Sequence, residues 1–316
     1  MKAIRISSAE YAKFFPAPSV AYNSVAFSEL NRDKCRDVHY VVIADDGGKV
    51  RFGITLGLKE GQLRAPFSAP FGCIEETKPQ QITYYLEAID ALRVYGRQLS
   101  SPIRLTLPPD IYSQHSHIEK QYLAAMTRGA QLLYTDSNYG RALTRDTDMS
   151  TILGRPGGTC YRAASRAGLV CVMHPASDSA KLREAYGIIS SHHGAHGYPV
   201  RMSLGQLEST LDRMASRIRG EVFLVMSGTD SIAASINYVH RKEGIVQPVY
   251  WGYLTGTGHM RPMNYLAVEM ARHYASEGYG WLDLGSSSEL GVPDYGLCRF
   301  KESLGYDLYV KPTLLI

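Results

Sequence analysis

The sequence predicts an α/β protein with mixed sheets, built from two halves that repeat one order of elements. In each half, strands that are typical of hairpins precede a helix, a strand, a helix and a final strand, although no repeat is visible residue by residue. The 316 residues, 45% of them hydrophobic, are enough for two ordinary domains. We expect one domain over residues 1–150 and a second over 151–316, joined in an irregular, basic, glycine-rich stretch.

Glycine-rich turns and a change of hydrophobic period define the first half. The turns at Asp45–Gly48 and Lys59–Gln62 supply residues that tolerate positive φ, as tight hairpins require. From Pro79 to Leu99 the apolar residues recur at helical spacing instead. The predicted elements are helices over Ser8–Phe14, Pro79–Leu99 and His117–Gly129, and strands over Val38–Ala44, Val50–Leu58, Leu63–Ala65, Ile103–Leu107 and Gln131–Tyr134.

Capping residues and turns define the second half. Ser203 is a typical helix N-cap, and Pro262 is permitted in the first turn of a helix that Gly278 would end. The predicted elements are helices over Ser179–Ser191, Ser203–Ile218, Pro262–Glu277 and Tyr295–Leu304, and strands over Glu221–Ser227, Ser231–His240, Ile245–Leu254, Trp281–Leu284 and Tyr306–Leu315.

Composition narrows the classes of function. The net charge of +4 is spread over both halves, which argues against DNA binding but allows a local basic cleft for a phosphorylated ligand. The five cysteines are widely spaced without a Cys-x-x-Cys pair, so we expect neither a disulfide framework nor a structural zinc site. No apolar run approaches the ~20 residues that span a bilayer, and no apolar leader is visible. We therefore expect a cytoplasmic protein without membrane insertion.

The first candidate site is a glycine-rich turn between a strand and a helix, Leu254–Pro262. Gly256 and Gly258 allow the backbone to approach a ligand closely, and the free N–H groups of a helix start attract anions. Arg261 could add a charge-assisted contact with a phosphate. A purely structural turn is the alternative, since glycine is the usual turn residue.

The second candidate site is Trp281–Gly305, a strand that ends in Asp-Leu-Gly-Ser and a helix that carries Arg-Phe-Lys. Asp283 lies near the carboxyl end of the strand, where α/β sheets place ligand sites. Lys301 could neutralise an oxyanion or a phosphate near that strand end, whereas an exposed helix lysine is the alternative. A general base for an amine could come from Asp283 or from Asp146 and Asp148, and the sequence does not decide between them.

This second segment resembles the C-terminal signature of the FemAB-like transferases and related acetyltransferases of the GNAT superfamily. Asp283–Gly285 and Arg299–Gly305 are similar to the family's D-x-G-x-S and F-K-x-x-x-G elements, which precede a last strand. The likeness covers most of the chain and is strongest in the last sixty or so residues. Further segments that resemble family elements are Ala65–Gly72, Leu105–Tyr112, Arg162–Leu169 and Tyr253–Tyr279.

The resemblance implies two tandem GNAT-like domains and transfer of an acyl or aminoacyl group to an amine, with substrate in the cleft between the halves. We expect acyl-CoA as co-substrate, no tightly bound cofactor, and a bacterial enzyme acting on a small molecule or a cell-wall precursor. The residues assigned are Lys301 and Asp283 to catalysis, Gly256, Gly258 and Arg261 to the anionic part of the donor, and Phe71, Gly72, Tyr112, Trp251, Tyr253 and Phe300 to the substrate cleft.

Two departures from the family pattern leave the donor open. Peptidoglycan-bridge members often carry a long helical-hairpin arm that helps to hold transfer RNA, and no room for one is visible between Val172 and Ile316. Aminoacyl-transfer RNA is therefore the less favoured donor. The Gly256–Gly258 turn also lacks the full Q/R-x-x-G-x-G/A signature of acetyl-CoA binding. A non-catalytic protein that keeps the cleft for a ligand is a further alternative.

A histidine cluster, formed by His192, His193 and His196, is a third candidate site. Three imidazoles close together could bind zinc or copper. Glycines interrupt the helix that would align them, however, and no carboxylate or cysteine joins them at ligand spacing. We therefore predict a solvated helix end and no metal site.

Overall fold

The computed structural model describes residues 1–145, 153–197 and 200–316. The predicted domain boundary between residues 150 and 151 lies outside the described residues, as do Asp146 and Asp148. The chain divides into two compact units. The first unit comprises residues 1–137, 288–292 and 309–316, and the second comprises residues 138–287 and 293–308. The predicted division into domains at residue 150 stays a prediction.

The described residues form nine α-helices and fifteen strands. The helices are α1 Ser8–Phe14, α2 Val25–Leu30, α3 Ile82–Gln98, α4 His117–Thr127, α5 Arg155–Arg166, α6 Ser179–Ala195, α7 Leu204–Arg213, α8 Pro262–Glu277 and α9 Tyr295–Ser303. The strands are β1 Lys2–Ile6, β2 Asp37–Ala44, β3 Val50–Lys59, β4 Gln62–Ala65, β5 Glu75–Glu76, β6 Ile103–Thr106, β7 Gln131–Ala142, β8 Val170–Pro175, β9 Ile218–Ser227, β10 Asp230–His240, β11 Ile245–Tyr253, β12 Trp281–Ser286, β13 Ser288–Glu289, β14 Val292–Pro293 and β15 Asp307–Leu315.

In the first unit, the sheet has the strand order β1-β2-β3-β4-β6-β15, and β5 pairs with β3. Only β4 and β6 run parallel in this set, and the last residues of the chain pair with β6 in the register Thr313↔Thr106. Helix α1 packs on β2 through a buried aromatic and aliphatic cluster that includes Tyr11, Phe15 and Tyr40. The first unit is therefore completed by a strand from the far end of the chain.

In the second unit, the sheet has the strand order β7-β12-β11-β10-β9-β8. The part of β7 from Asn138 onward belongs to this unit and pairs with β12. Only β11 and β12 run parallel in this set. Phe223 and Val225 of β9 join a core that contains the buried face of α8. The intervening Val222 and Leu224 are also fully buried and, because side chains alternate along a strand, face the opposite side of the sheet. The sheet is thus buried on both faces.

The structure corrects several of the predicted elements. Strand β1, helix α2 and strand β8 were not predicted, and β7 continues to Ala142 rather than ending at Tyr134. The helix capped by Ser203 ends at Arg213 instead of Ile218, because Ile218 begins β9. The capping interaction itself is confirmed, since Ser203 accepts a hydrogen bond from the Gln206 N–H and the Gln206 side chain accepts one from the Ser203 N–H.

Candidate active site

The two parallel strands of the second unit part soon after they begin. Strands β11 and β12 pair at Ile245↔Trp281 and Val246↔Leu282, yet β11 continues to Tyr253. The pairing of β11 with β10 is also interrupted, because the register shifts by one residue at Val249 and makes a β-bulge. The bulged, parting strands open a gap at their carboxyl ends, where α/β sheets commonly bind ligands.

Asp283 lies where β11 and β12 separate, and its carboxylate links the neighbouring strands. Its side chain is fully buried, and Oδ1 accepts hydrogen bonds from the Asn138 amide at 2.7 Å and from the Gly285 N–H at 2.9 Å. Oδ2 accepts from the Gln247 amide at 3.2 Å. Because Asn138 lies on β7 and Gln247 on β11, one carboxylate joins three strands. The catalytic role assigned to Asp283 stays a prediction, and the contacts indicate a positioning role.

Lys301 reaches the end of the same strand, β12, and is also almost completely buried. Its ammonium donates to the carbonyl oxygens of Leu284, Gly285 and Ser286, at 2.9, 2.8 and 3.1 Å. Three carbonyls match the three N–H donors of a lysine. The sequence placed Lys301 near the end of the Asp283 strand, and that placement is confirmed. Its catalytic role stays a prediction, because in this conformation the ammonium is already saturated by the backbone.

The Gly256–Arg261 segment forms a compact loop between β11 and α8. Gly256 has φ of +92°, and Thr257 donates to the Leu254 carbonyl at 2.7 Å. Arg261 adopts the left-handed conformation (φ 58°, ψ 42°) at the N-cap position, with an exposed side chain, and Pro262 begins α8. No side chain caps the first turn, so its N–H groups, which begin at Met263 because Pro262 has none, are open to an anion. The loop follows directly from the strand that borders the gap.

Aromatic residues of the second unit surround this region. The rings of Trp251 and Phe300 lie 5.9 Å apart, and both pack against the core. The ring of Tyr253 lies beneath the loop, since a Cβ on Gly258 would come within 3.2 Å of it. Of the residues assigned to the cleft, Trp251, Tyr253 and Phe300 thus lie beside the parting strands, whereas their contact with substrate stays a prediction.

His192 is a neighbour of this loop that the sequence did not assign to the transfer site. Its ring lies 4.7 Å from that of Tyr253, and its Cβ lies 2.8 Å from where a Cβ on Gly252 would be. Burial, followed by the charges of His196 and His193, lowers the pKa of His192. The imidazole is therefore neutral near pH 7 and able to accept a proton. The position of His192 beside the loop depends on the packing of α6 against β11. The sequence does not indicate it, because no pattern links His192 with Gly252.

The three cleft residues assigned in the first unit lie in its interior. Phe71 and Tyr112 are 1% and 4% exposed, with rings 4.6 Å apart. Gly72 is also buried, and a Cβ there would come within 3.2 Å of Asn23 Oδ1. These residues pack in the interior of the first unit, and their contact with substrate stays a prediction.

Comparisons with known proteins identify one domain and the fold. Residues 159–302 match the sequence model of the acetyltransferase (GNAT) domain. The crystal structure of FemX is similar over 100% of this chain and 97% of its own, with 11% identity and a TM-score of 0.66. The tandem GNAT protein from the clavulanic acid biosynthesis pathway, determined without acetyl-CoA, is similar over 99% and 97%, with 11% identity and a TM-score of 0.54.

The chain thus contains a GNAT acetyltransferase domain, the mark of an acyltransferase, and has the fold of FemX and of the tandem GNAT protein. L-PGS from Bacillus licheniformis has the same fold, with 11% identity, a TM-score of 0.60, and coverage of 98% of this chain and 92% of that one. No curated protein sequence matches the chain. Within the described ranges, no helix is long and apolar enough to cross a membrane. The predicted resemblance to GNAT-type acyltransferases, the tandem GNAT-like fold and the class of acyl or aminoacyl transfer are confirmed.

Proposed function

We propose that this acyltransferase uses acyl-CoA as donor and acylates an amine of a small molecule or a cell-envelope precursor in the cytoplasm. The supporting observation is the gap between β11 and β12, which leads to the glycine loop and the start of α8. The gap suits an extended thioester arm, and the helix start suits the pyrophosphate that ends it. Arg261, exposed beside that helix start, adds a charge-assisted contact.

The reaction needs a base for the amine and donors for the oxyanion. His192 is our candidate base, because it lies against the strand that borders the gap and burial favours its neutral, proton-accepting form. The bulge at Val249 leaves a backbone N–H that is not part of the β10 register, and we propose it as the donor to the thioester oxygen. Trp251 and Phe300 would shield the thioester from water.

A transfer assay tests this proposal. Purified protein is mixed with a series of acyl-CoA donors and a library of amines, and both free CoA and acylated amine are measured. Arg261→Met should raise KM for acyl-CoA about tenfold with little change in kcat, because it removes a contact with the donor phosphate worth about 1.4 kcal/mol. Arg213→Met, at an exposed arginine that ends α7, is the matched control. His192→Gln should lower kcat about 100-fold at neutral pH.

The same assay separates the alternatives. Turnover with aminoacyl-transfer RNA but with none of the acyl-CoA donors would replace the proposed donor. A rise in melting temperature with CoA, without acylation of any amine, would indicate a binding protein instead of an enzyme. An unchanged KM in Arg261→Met would remove Arg261 from the donor site.

A further inference from the structure

A second cluster of chemically active side chains lies in the second unit, at the opposite end of α8 from the glycine loop. Glu221 lies on β9, and His273 and Glu277 lie one turn apart near the end of α8. One ligand atom from each of the three lies within 4.8 Å of the others. We propose that Glu221, His273 and Glu277 form a binding site for a zinc-class divalent cation.

Two buried atoms of this cluster are poorly satisfied by hydrogen bonds. Glu221 is 3% exposed, and its Oε2 makes no hydrogen bond of standard geometry with the described residues; the Tyr274 phenol is a hydrogen-bond neighbour of the same carboxylate. His273 Nε2 is likewise buried and makes no hydrogen bond with the residues that the structure describes. A buried carboxylate oxygen without a full set of donors destabilises the folded state. A cation between Glu221 Oε2 and His273 Nε2 would satisfy both atoms at once.

The spacing of the ligand atoms suits a small tetrahedral site. His273 Nε2 and Glu277 Oε1 lie 3.7 Å apart, and residues at i and i+4 share one face of a helix. Zinc bonds of about 2.0–2.1 Å to nitrogen and oxygen place neighbouring tetrahedral ligands about 3.3 Å apart. A contraction of a few tenths of an ångström therefore completes this pair, whereas Glu221, which lies within 4.8 Å of both, would move toward them by up to about 1.5 Å as the third ligand.

The charges around the cluster leave it able to hold a cation. Arg219 forms an ion pair with Glu221 Oε1 at 2.7 Å and donates to Glu277 Oε2 at 3.0 Å, so it engages one oxygen of each carboxylate, while Glu277 Oε1 lies 3.7 Å from His273 Nε2. The two carboxylates and one guanidinium sum to a single negative charge.

The ligand set indicates which cation would bind. One imidazole nitrogen and two carboxylates are typical of zinc and similar first-row ions, with a fourth position left for water. Calcium takes six to eight oxygen ligands, and magnesium keeps most of its waters in an octahedral oxygen set, so an imidazole disfavours both. Bound cation would tie the last turn of α8 to β9 and stabilise the second unit.

Zinc titration of the metal-free protein tests the site. We expect the wild-type chain to bind Zn²⁺ with a rise in melting temperature, and Mg²⁺ to give no rise. Glu221→Gln and His273→Gln should each weaken Zn²⁺ binding at least tenfold, because each removes a direct ligand. His115→Gln, at an exposed histidine of the first unit, is the control and should bind as the wild type does.

The histidine cluster of α6 is an alternative place for Zn²⁺, and the titration separates the two. His192 and His196 have rings 4.4 Å apart, so His196→Gln removes that competitor without changing the proposed ligands. Anomalous scattering at the zinc edge should place the ion between Glu221 and His273. Zinc binding that survives both Glu221→Gln and His273→Gln, an ion located elsewhere, or the absence of stoichiometric binding would overturn the proposal. None of these readouts depends on acyl transfer.

Discussion

At the scale of single residues, the buried ammonium of Lys301 stabilises the end of β12. It gathers three successive carbonyls at the end of β12. The bend that brings those carbonyls together depends on the bulge at Leu284 and on Gly285, whose φ is +73°. Lys301 and Asp283 therefore hold the same strand end, Lys301 through carbonyl groups and Asp283 through the Gly285 N–H.

Lys301→Met should lower both stability and turnover. The substitution leaves three carbonyls without their charged donor, and we expect the free energy of unfolding to fall by about 3 kcal/mol. Denaturant unfolding and steady-state turnover, measured on one preparation, check this. Turnover that collapses while stability is unchanged would instead support direct contact of Lys301 with the reactants. Normal turnover in a stable variant would exclude both roles.

At the scale of elements, α5 and α9 approach so closely that one glycine has no room for a side chain. A Cβ on Gly157 would lie 2.0 Å from the backbone oxygen of Ser303 at the end of α9. Backbone atoms cannot move aside as a flexible side chain does. By contrast, Gly187 lies on the exposed face of α6, and a Cβ there would meet nothing within 4 Å.

These two glycines should respond in opposite directions to alanine. Gly157→Ala should lower the free energy of unfolding by about 1–3 kcal/mol, because the helices must separate. Gly187→Ala should raise it by about 0.5–1 kcal/mol, because alanine loses less backbone entropy in a helix. Chemical denaturation of both variants checks the signs. Equal effects would show that the approach of α5 to Ser303 is not tight.

At the scale of the whole molecule, one buried histidine makes stability depend on pH. Burial, followed by the charge of Arg217, lowers the pKa of His240 from 6.5 to about 4, against a hydrogen bond with Gln247 that raises it. Between those two pH values the unfolded chain takes up a proton at this site and the folded chain does not. The contribution of His240 to stability is therefore present above pH 6.5 and lost as the pH falls toward 4.

His240→Gln should flatten this dependence. The difference between 6.5 and about 4 corresponds to about 3 kcal/mol of unfolding free energy, which the wild type loses on acidification and the variant keeps. Unfolding free energies measured from about pH 7 to about pH 4 for both proteins check this. Parallel curves would show that His240 does not titrate as stated.

Elements bounded by strong local residues could be predicted from the sequence. Helix α8 begins at Pro262 and ends before Gly278 as expected, because proline is tolerated in a first turn and the C-cap needs the φ of +84° that glycine accepts. Strand β8 was missed, since its apolar residues alternate weakly and two of its valines, Val170 and Val172, are exposed at an edge.

The site was predictable in outline only. Sequence order alone placed Lys301 near the Asp283 strand, but which carbonyls turn inward depends on a bulge that no local pattern specifies. The His273–Glu277 spacing on a helix could have indicated half of a metal site. Glu221 could not have been added, because it lies far away in sequence and joins them only through the packing of α8 on β9.

The strand that closes the sheet of the first unit has a consequence for chain synthesis. Residues 309–316 belong to that unit and pair with β6, which the ribosome makes some two hundred residues earlier. The first unit therefore cannot reach its final state while the second is still being translated. During that interval one edge of β6 is unpaired. Pairing of this edge with strands of other chains would lead to aggregation.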